Sequence, residues 1–294
     1  MKKPLTVITG PTASGKTAMS IELAIKKGGE IVNADSMQVY KHMDIGTAKP
    51  PAHERKGITH HLIDIVEPTE RFSVAQYTAA AHNCINDIHN RGKLPILVGG
   101  TGLYIDSVVK NIKYAKGGVD ENYRLKLRNL EKQKGAGYLH NKLKKIDEAA
   151  AKTIHPIDIK RTIRALEVYQ LTGKTITEQK RQSQLEGPLY DTQIFCIDID
   201  RNELYNRINA RVESMFANGL VNEALKLFKM GIDERFTSMQ GIGYKETLHY
   251  IKGIATLEET KNIIARNTRR YAKRQLTWFR KNEKIIWIRG QVEW

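Results

Sequence analysis

The chain has 294 residues, enough to bury a large hydrophobic core as one large domain or as two smaller ones. Lys and Arg outnumber Asp and Glu by 48 to 32, which gives a formal net charge of +16. A protein that binds a polyanion uses such an excess to displace counterions, although a solvated basic surface would have the same composition. The two cysteines, Cys84 and Cys196, lie far apart and outside any metal-binding spacing, which argues against a disulfide framework and a zinc site.

No apolar run approaches the length of a signal peptide or of a membrane span. The two isolated cysteines suit a reducing compartment. We therefore expect a cytoplasmic protein that does not contact a membrane.

The N-terminal third alternates short apolar runs with helical patterns. Strands are predicted over 5–9, 30–34, 60–66 and 95–98, and helices over 16–27 and 74–90. This alternation is typical of a parallel sheet with helices on both faces.

The middle of the chain has a different pattern. Residues 120–186 contain almost no β-rich run, and helix starts are predicted at Asp120, Asp147, Asp158 and Thr175. After Gly187-Pro188, strands are predicted over 193–199 and 284–288, separated by helices over 201–218, 220–230, 244–252 and 256–281. We therefore predict a core domain made of residues 1–114 and 187–294, interrupted by an all-helical insertion domain over 115–186.

A phosphate-binding motif follows the first predicted strand directly. It fits the pattern G-x-x-x-x-G-K-[ST] and reads Gly10-Pro11-Thr12-Ala13-Ser14-Gly15-Lys16-Thr17. The glycines allow the backbone N–H groups to point inward at a diphosphate, Lys16 adds a cation, and the Thr17 hydroxyl is a ligand for Mg²⁺. The predicted fold class is thus α/β, with a P-loop NTPase-like parallel sheet flanked by helices and an all-helical insertion.

Two further positions lie at the carboxyl ends of predicted strands, where open α/β sheets bind ligands. Asp35 follows the second strand and is a candidate general base, a metal ligand through water, or only a helix cap. The strand over 95–98 runs into Gly99-Gly100-Thr101-Gly102 without the acidic residue that helps to hold Mg²⁺ in P-loop NTPases. This argues against ordinary ATP hydrolysis and leaves Thr101 as a neutral hydroxyl, unless the glycines serve only close packing.

Basic residues are concentrated in three places. Arg207 and Arg211 share one face of a predicted helix, where they either reach the phosphates or are solvated. The stretch from Arg266 to Arg289 holds nine basic residues and one acid, and the insertion carries Lys160, Arg161 and Arg164. Two basic surfaces around one pocket indicate a nucleic-acid substrate.

In sequence the chain resembles the bacterial tRNA dimethylallyltransferases over nearly its whole length. Besides the phosphate-binding motif, the resemblance rests on these segments: Asp35-Ser36-Met37-Gln38-Val39-Tyr40, Asp44-Ile45-Gly46-Thr47-Ala48-Lys49-Pro50, His61-Leu62-Ile63-Asp64, Gly99-Gly100-Thr101-Gly102-Leu103-Tyr104, Arg164-Ala165-Leu166-Glu167-Val168-Tyr169, Gly241-Ile242-Gly243-Tyr244 and Ala272-Lys273-Arg274-Gln275-Leu276-Thr277-Trp278. So many segments in the same order are highly specific.

The resemblance implies an activity: transfer of the dimethylallyl group from dimethylallyl diphosphate to N6 of the adenine on the 3′ side of a tRNA anticodon. The motif over 10–17 then holds a prenyl diphosphate rather than ATP, with Mg²⁺ as cofactor. By the same analogy, Asp35 matches the general base, Thr101 the hydroxyl that steadies the leaving diphosphate, and Arg211 with Lys16 the facing cations.

The resemblance also implies partners and contacts. The partners are dimethylallyl diphosphate and the anticodon stem-loop of tRNA, bound by a monomer. The expected tRNA contacts are Asp35, Ser36, Met37, Gln38, Thr101, Tyr123, Lys160, Arg161, Thr162, Ile163, Arg164, Gln240, Gly241, Ile242, Gly243, Tyr244, Lys245, Arg269, Arg270, Lys273 and Arg274.

Two other functions share part of the pattern. A P-loop kinase for a small molecule or nucleotide has the same cradle and sheet, but it leaves the basic C-terminal helix unexplained. A non-catalytic RNA-binding protein explains the charge but not the convergence of Lys16, Asp35 and Thr101 at one sheet edge.

Overall fold

The computed structural model describes residues 2–114 and 118–290. Within them the chain divides into two compact units, one made of Met1–Val109 and Leu189–Trp294 and the other of Lys110–Pro188. The predicted insertion covers 115–186, so its predicted boundaries lie within a few residues of this division. Ala115, where the insertion is predicted to begin, lies outside the described residues.

The larger unit is built on a six-stranded sheet in which every strand pairing is parallel. Its strands are β1 (Lys3–Thr9), β2 (Gly29–Asn33), β3 (His60–His61), β4 (Leu94–Gly99), β5 (Tyr190–Ile197) and β6 (Ile285–Ile288), in the spatial order β3-β2-β4-β1-β5-β6. The inner strands are buried on both faces, as expected for a parallel sheet covered by helices. The predicted fold class is confirmed.

Helices cover both faces of this sheet. They are α1 (Lys16–Lys27), α2 (Val74–Asn90), α3 (Gly102–Val109) and, after the smaller unit, α9 (Arg201–Ala217), α10 (Leu220–Lys229), α11 (Tyr244–Ile251) and α12 (Leu257–Phe279), with a 3₁₀ turn over Ser238–Gln240. One core cluster joins the sheet to α2 and α3, a second joins it to α1, and a third joins the helices from α9 onward to the segment after β2.

The smaller unit is a bundle of short helices. They are α4 (Glu121–Lys134), α5 (Tyr138–Ile146), α6 (Glu148–Thr153), α7 (Ile159–Thr172) and α8 (Ile176–Glu186). Asp120, Asp147, Asp158 and Thr175 each cap the helix that follows through a side-chain oxygen, as their positions in the sequence predict. An apolar core that includes Leu127, Leu143 and Leu166 holds the bundle together.

Two predicted strands are wrong in extent. Strand β5 runs over Tyr190–Ile197, so it begins three residues before the predicted 193–199 and ends two residues earlier. The strand expected over 60–66 pairs with β2 only at His60 and His61. Leu62 and Asp64 adopt positive φ angles of 62° and 57°, which no strand residue can have, so the chain leaves the sheet there. Asp64 forms an ion pair with the buried Nζ of Lys49, which holds the loop in this turned path.

Candidate functional site

Three loops meet at the carboxyl edge of the sheet. The loop over 10–17, called the diphosphate loop below, follows β1, while Asp35 follows β2 and the turn over 99–102, called the glycine turn, follows β4. Gly15 has a φ of +96° and places Lys16 at the first position of α1, so the N-terminus of that helix opens into the loop. An anion-binding cradle of this kind needs no side chain other than those of Lys16 and Thr17.

Two cations face the loop. Lys16 Nζ lies 3.2 Å from the carbonyl oxygen of Pro11, and Arg211 Nη1 of α9 lies 3.4 Å from Thr12 Oγ1. Burial, and secondarily the charge of Arg211, lowers the pKa of Lys16 to about 8, while Asp35 opposes this shift. Within residues 2–114 and 118–290, neither cation forms an ion pair with a carboxylate, so both are available to an anionic ligand.

Arg207 lies one turn before Arg211 on the same face of α9. Its Nη1 lies 3.4 Å from the carbonyl oxygen of Ser14, and its other nitrogen is paired with Glu203 on the exposed side of the helix. Of the two arginines considered from the sequence, Arg211 is thus the more buried and the less committed to a protein carboxylate.

Asp35 and Thr101 lie on neighbouring loops. Asp35 is half-buried, and its Oδ1 accepts a hydrogen bond of 2.9 Å from the backbone N–H of Met37. Thr101 Oγ1 accepts one of 3.1 Å from the N–H of Ser36, and the N–H of Thr101 donates to the carbonyl of Ala34. The glycine turn therefore braces the loop that presents the Asp35 carboxylate.

Helix α12 completes the site with residues that sequence reasoning missed. The N–H of Thr12 donates to Gln275 Oε1 at 2.8 Å, and Gln275 Nε2 donates to the carbonyl of Gly100 at 2.9 Å. The side chain of Tyr271 lies beside those of Thr101 and Gln275. A Cβ atom on Gly100 would lie 2.1 Å from Gln275 Nε2, so this approach requires glycine. The sequence holds Gln275 within the segment Ala272–Trp278 that carries the family resemblance, but that segment does not show which groups the amide binds.

The segment after β2 forms a further wall of the site. Glu223 of α10 accepts hydrogen bonds from the N–H groups of Asp44, Ile45 and Gly46 and from the hydroxyl of Tyr244. Gln38 Nε2 donates to the carbonyls of Thr47 and Ala48. These bonds fix a stretch of irregular backbone beside Asp35.

Two cavities share this wall. One, of about 420 Å³, lies over the diphosphate loop and is lined by residues that include Lys16 and Thr17. The other, of about 290 Å³, lies beside α12 and is lined by residues that include Met37, Tyr271 and Arg274. Both are lined by Thr12, Asp35, Thr47, Ala48 and Arg211. The Asp35 carboxylate and the Arg211 guanidinium thus stand between them.

The outer face of α12 is basic and open. A surface groove of about 370 Å³ is lined by Arg270, Lys273, Arg274, Thr277, Trp278 and Lys281. Arg274 lines both this groove and the cavity beside α12. Arg269 is held differently, since its Nη1 donates to Asn209 Oδ1 at 2.7 Å and its guanidinium lies over the ring of Tyr205.

Several of the predicted tRNA contacts lie in the smaller unit. On α7, Lys160 and Arg161 are exposed, whereas Arg164 is paired with the buried carboxylate of Glu167. Tyr123 is half-buried at the start of α4.

Some predicted contacts are buried. Thr162 and Ile163 in the smaller unit and Gly241, Gly243 and Tyr244 in the larger one are shielded from solvent. The side chains of Thr162, Ile163 and Tyr244 therefore pack inside the protein, and the contact of these positions with tRNA stays a prediction. Gln240, Lys245 and the half-buried Ile242 remain at the surface of the larger unit.

Two features are absent from the described residues, a membrane-spanning helix and a cluster of metal-ligating side chains. No helix in the described part of the chain is long and apolar enough to cross a membrane. No group of three or more His, Cys, Asp or Glu residues over 2–114 and 118–290 is arranged to hold a metal ion. His61 instead hydrogen-bonds to Glu30, and His60 to the carbonyl of Ile58.

Comparison with known proteins gives one consistent family. The model of the IPP transferase family matches residues 38–282. The tRNA dimethylallyltransferase of Acetivibrio thermocellus is 51% identical over 282 residues, covering 96% of this chain and 90% of that protein. The tRNA dimethylallyltransferase of Carboxydothermus hydrogenoformans is 49% identical over 288 residues, covering 98% and 92%.

Solved structures that are similar to this one are also those of transferases that act on tRNA. The tRNA isopentenylpyrophosphate transferase of Bacillus halodurans has a TM-score of 0.73 at 46% identity, with 98% of this chain and 90% of that chain covered. A eukaryotic dimethylallyltransferase, solved in the course of acting on tRNA, has a TM-score of 0.82 at 32% identity, with 98% and 74% covered.

Proposed function

Because the chain belongs to the IPP transferase family, we propose that it transfers the dimethylallyl group of dimethylallyl diphosphate to tRNA. The acceptor in this proposal is N6 of the adenine on the 3′ side of the anticodon, and diphosphate is released. Two relatives are about 50% identical to this chain over nearly its whole length, and both are named tRNA dimethylallyltransferase.

One observation carries the proposal: the two cavities that share Thr12, Asp35 and Arg211. A diphosphate held in the loop cavity directs its prenyl carbon towards Asp35. An adenine that enters from the side of α12 meets the same carboxylate. A kinase for a small molecule needs the first cavity but not a second one that opens beside a basic helix, and nothing in the site favours it.

At the donor end, the chain stabilises the leaving group. The allylic C–O bond breaks readily only if the negative charge that develops on the diphosphate is balanced. Lys16, Arg211 and the N–H groups at the start of α1 all face that position. In this proposal the Thr101 hydroxyl, which donates to Ser36 Oγ at 3.3 Å, turns to the diphosphate as a neutral donor.

The site also fits Mg²⁺. The Thr17 hydroxyl and the Asp35 carboxylate line the loop cavity, and hard oxygen ligands of this kind, together with diphosphate oxygens and water, suit this ion. When bound, Mg²⁺ would neutralise part of the diphosphate charge.

At the acceptor end, the chain activates a weak nucleophile. The lone pair of an exocyclic amine is delocalised into the purine ring, so a base that accepts its proton is needed. As the N6–C bond forms and the C–O bond breaks, the N6 proton passes to the Asp35 carboxylate. A stacked adenine cannot reach this carboxylate, so the base must be flipped out of the anticodon loop, at a cost of a few kcal/mol that phosphate contacts offset.

A direct test uses the purified protein, unmodified tRNA and Mg²⁺ with either labelled dimethylallyl diphosphate or labelled ATP. We expect prenyl label on the RNA, at the adenine next to the anticodon, and no turnover of ATP. A tRNA whose target adenine is replaced by guanine is the matched control and should stay unlabelled. ATP turnover without prenyl transfer would replace this function by that of a kinase, and RNA binding with neither reaction would leave a non-catalytic RNA-binding protein.

We also propose that the protein works in the cytoplasm as a monomer. The loops, the cations and the basic helix that form the larger unit's site all come from one chain, so no second copy is needed to complete it. Light scattering in the presence of tRNA should give the mass of one chain on one tRNA. A mass of two chains would contradict the monomer.

A further inference from the structure

The inner face of α12 connects loops that are far apart in the sequence. Gln275 is 5% exposed and bridges Thr12, 263 residues away, and Gly100, 175 residues away, through one donor and one acceptor. No other side chain is seen to join the diphosphate loop to the glycine turn within residues 2–114 and 118–290. The starts of the two loops are held independently, since Thr9 at the end of β1 donates from its hydroxyl to the carbonyl of Gly99 at 2.9 Å. Beyond that point, the amide of Gln275 fixes Thr12 relative to Gly100.

Tyr271, one turn earlier on α12, extends the same connection. Its side chain lies beside those of Gln275 and Thr101, and the Thr101 hydroxyl accepts from the N–H of Ser36. Burial and the nearby Asp35 charge raise the pKa of Tyr271 well above its ordinary value, so its hydroxyl stays protonated. One continuous path thus runs from Thr12 through Gln275 to Gly100, and from the adjacent Thr101 to Ser36 in the loop that carries Asp35.

The outer face of the same helix is exposed and basic, whereas the inner face is buried and uncharged. Arg270 and Lys273 are exposed on it and line the basic groove, and Arg274 reaches both the groove and the cavity. Side chains three and four residues apart lie on one helix face, so Tyr271 and Gln275 share the inner side. Helix α12 therefore has one face suited to phosphates and another that holds the reacting loops.

We propose that Gln275, supported by Tyr271, is a positioning residue that sets the spacing between the diphosphate loop and the loops that carry Thr101 and Asp35. It lines neither of the two cavities. It acts by fixing where the leaving group sits relative to the base, and a displacement of about 1 Å in such a geometry lowers turnover by on the order of 100-fold. The proposal rests on the proposed function for its catalytic readout only.

Removing the Gln275 amide should displace both loops, because two backbone groups then lack hydrogen-bond partners. The Thr12 N–H and the carbonyl of the buried Gly100 then have to find new partners, which requires the loops to move. The diphosphate loop moves as a whole, so its affinity for diphosphate falls as well. The exposed face of α12 is unaffected.

The test compares Gln275→Met with Asn267→Ala. Methionine fills a similar space without a donor or a strong acceptor. Asn267 is an amide on the same helix that donates to Glu246 of α11 at 2.8 Å, outside both cavities, so its removal reports the cost of losing a helix-docking bond. For each variant, kcat, the Kd for tRNA, the Kd for inorganic diphosphate and the Tm are measured.

For Gln275→Met we expect kcat to fall between about 10- and 100-fold and diphosphate binding to weaken about 10-fold, with the Kd for tRNA changed less than about threefold. Asn267→Ala should retain kcat and diphosphate binding even if its Tm falls equally. Tyr271→Phe, which loses only the hydroxyl, should lower kcat by a smaller factor than Gln275→Met. Equal kcat values in Gln275→Met and Asn267→Ala at matched Tm would overturn the positioning role.

The diphosphate measurement separates this proposal from the proposed function. If the wild-type protein transferred no prenyl group, the function would fail, but a selective loss of diphosphate affinity in Gln275→Met would still support the positioning role. If transfer occurred and Gln275→Met bound diphosphate and turned over like the wild type, only the positioning role would fail.

Discussion

Strand β2 carries a carboxylate near each of its ends, and the two have opposite surroundings. Glu30, at the amino end, has a side chain that is 4% exposed and is bonded to Arg91, Lys93 and His61. Asp35, past the carboxyl end, is half-buried and accepts one hydrogen bond from a backbone N–H. The carboxylate at the amino edge of the sheet is thus fully paired with basic side chains. The carboxylate at the other edge can still accept hydrogen bonds from a ligand.

The cations show the same contrast. At the amino edge Arg91 also pairs with Asp87, so little charge is left for a ligand. At the carboxyl edge Lys16 and Arg211 contact only a carbonyl and a hydroxyl oxygen among the described residues. Charge that is neutralised internally stabilises the fold, whereas charge left unpaired in a cavity serves binding and chemistry.

The largest effect is expected from Asp35→Asn. The amide keeps the shape and still accepts from the Met37 N–H, but it cannot take the N6 proton, so kcat should fall by about 10²- to 10⁴-fold. Thermal unfolding should be nearly unchanged, since no ion pair is lost. Steady-state transfer at saturating tRNA and dimethylallyl diphosphate measures kcat, and a variant that retained wild-type turnover would remove Asp35 from the mechanism.

Glu30→Gln should have the converse effect. Removing the charge leaves Arg91 and Lys93 without their buried partner, so the free energy of unfolding should fall by about 3 kcal/mol while kcat is kept. Its hydrogen bonds, with that to Arg91 foremost, lower the pKa of Glu30, so the stability it provides is present above the ordinary value of 4.5 and is lost as the pH falls below it. Denaturant unfolding of both proteins at pH 7 and pH 3 tests this. A stability gap that did not shrink in acid would show that the pairing is not the cause.

Arg270→Gln combined with Lys273→Gln should weaken tRNA binding about 10-fold at low salt. Two fewer phosphate contacts should also make the slope of log Kobs against log salt less negative by about 1.5. The control is Lys2→Gln with Lys3→Gln, which removes the same charge where β1 begins, at the amino edge. Equal slopes for the two double variants would mean that net charge, and not the groove on α12, determines binding.

The last prediction concerns the pH dependence of Lys16, whose effect is the smallest of the four at pH 7 and grows only above about pH 8. With a pKa of about 8, Lys16 loses its proton in a range where an ordinary lysine keeps it. The value of kcat/KM for the donor should therefore fall as pH rises above about 8, approaching tenfold per unit. In Lys16→Arg this decline should be absent up to pH 10, whatever its starting activity. A decline shared by both proteins would assign the titration to another group.

Short sequence patterns predicted most of the helices and strands correctly. Capping residues placed the helices of the smaller unit, and glycine spacing with an apolar run placed the diphosphate loop after β1. The strand over 60–66 failed because Leu62 and Asp64 take positive φ angles, a conformation that hydrophobic alternation does not report. Burial of Ile163 and Tyr244 also escaped prediction, since a matching motif does not show which of its side chains face solvent.

The sequence by itself determined the phosphate cradle, the parallel sheet, the basic helix and the residues at the strand ends, because each depends on neighbours within a few positions of the chain. The tertiary structure alone decided what joins them. Gln275 bonds to Thr12 and Gly100, and Glu223 to the backbone after β2, across separations of more than 170 residues. Such contacts form only when the packed helices bring distant loops within hydrogen-bond distance, and no local pattern records that distance.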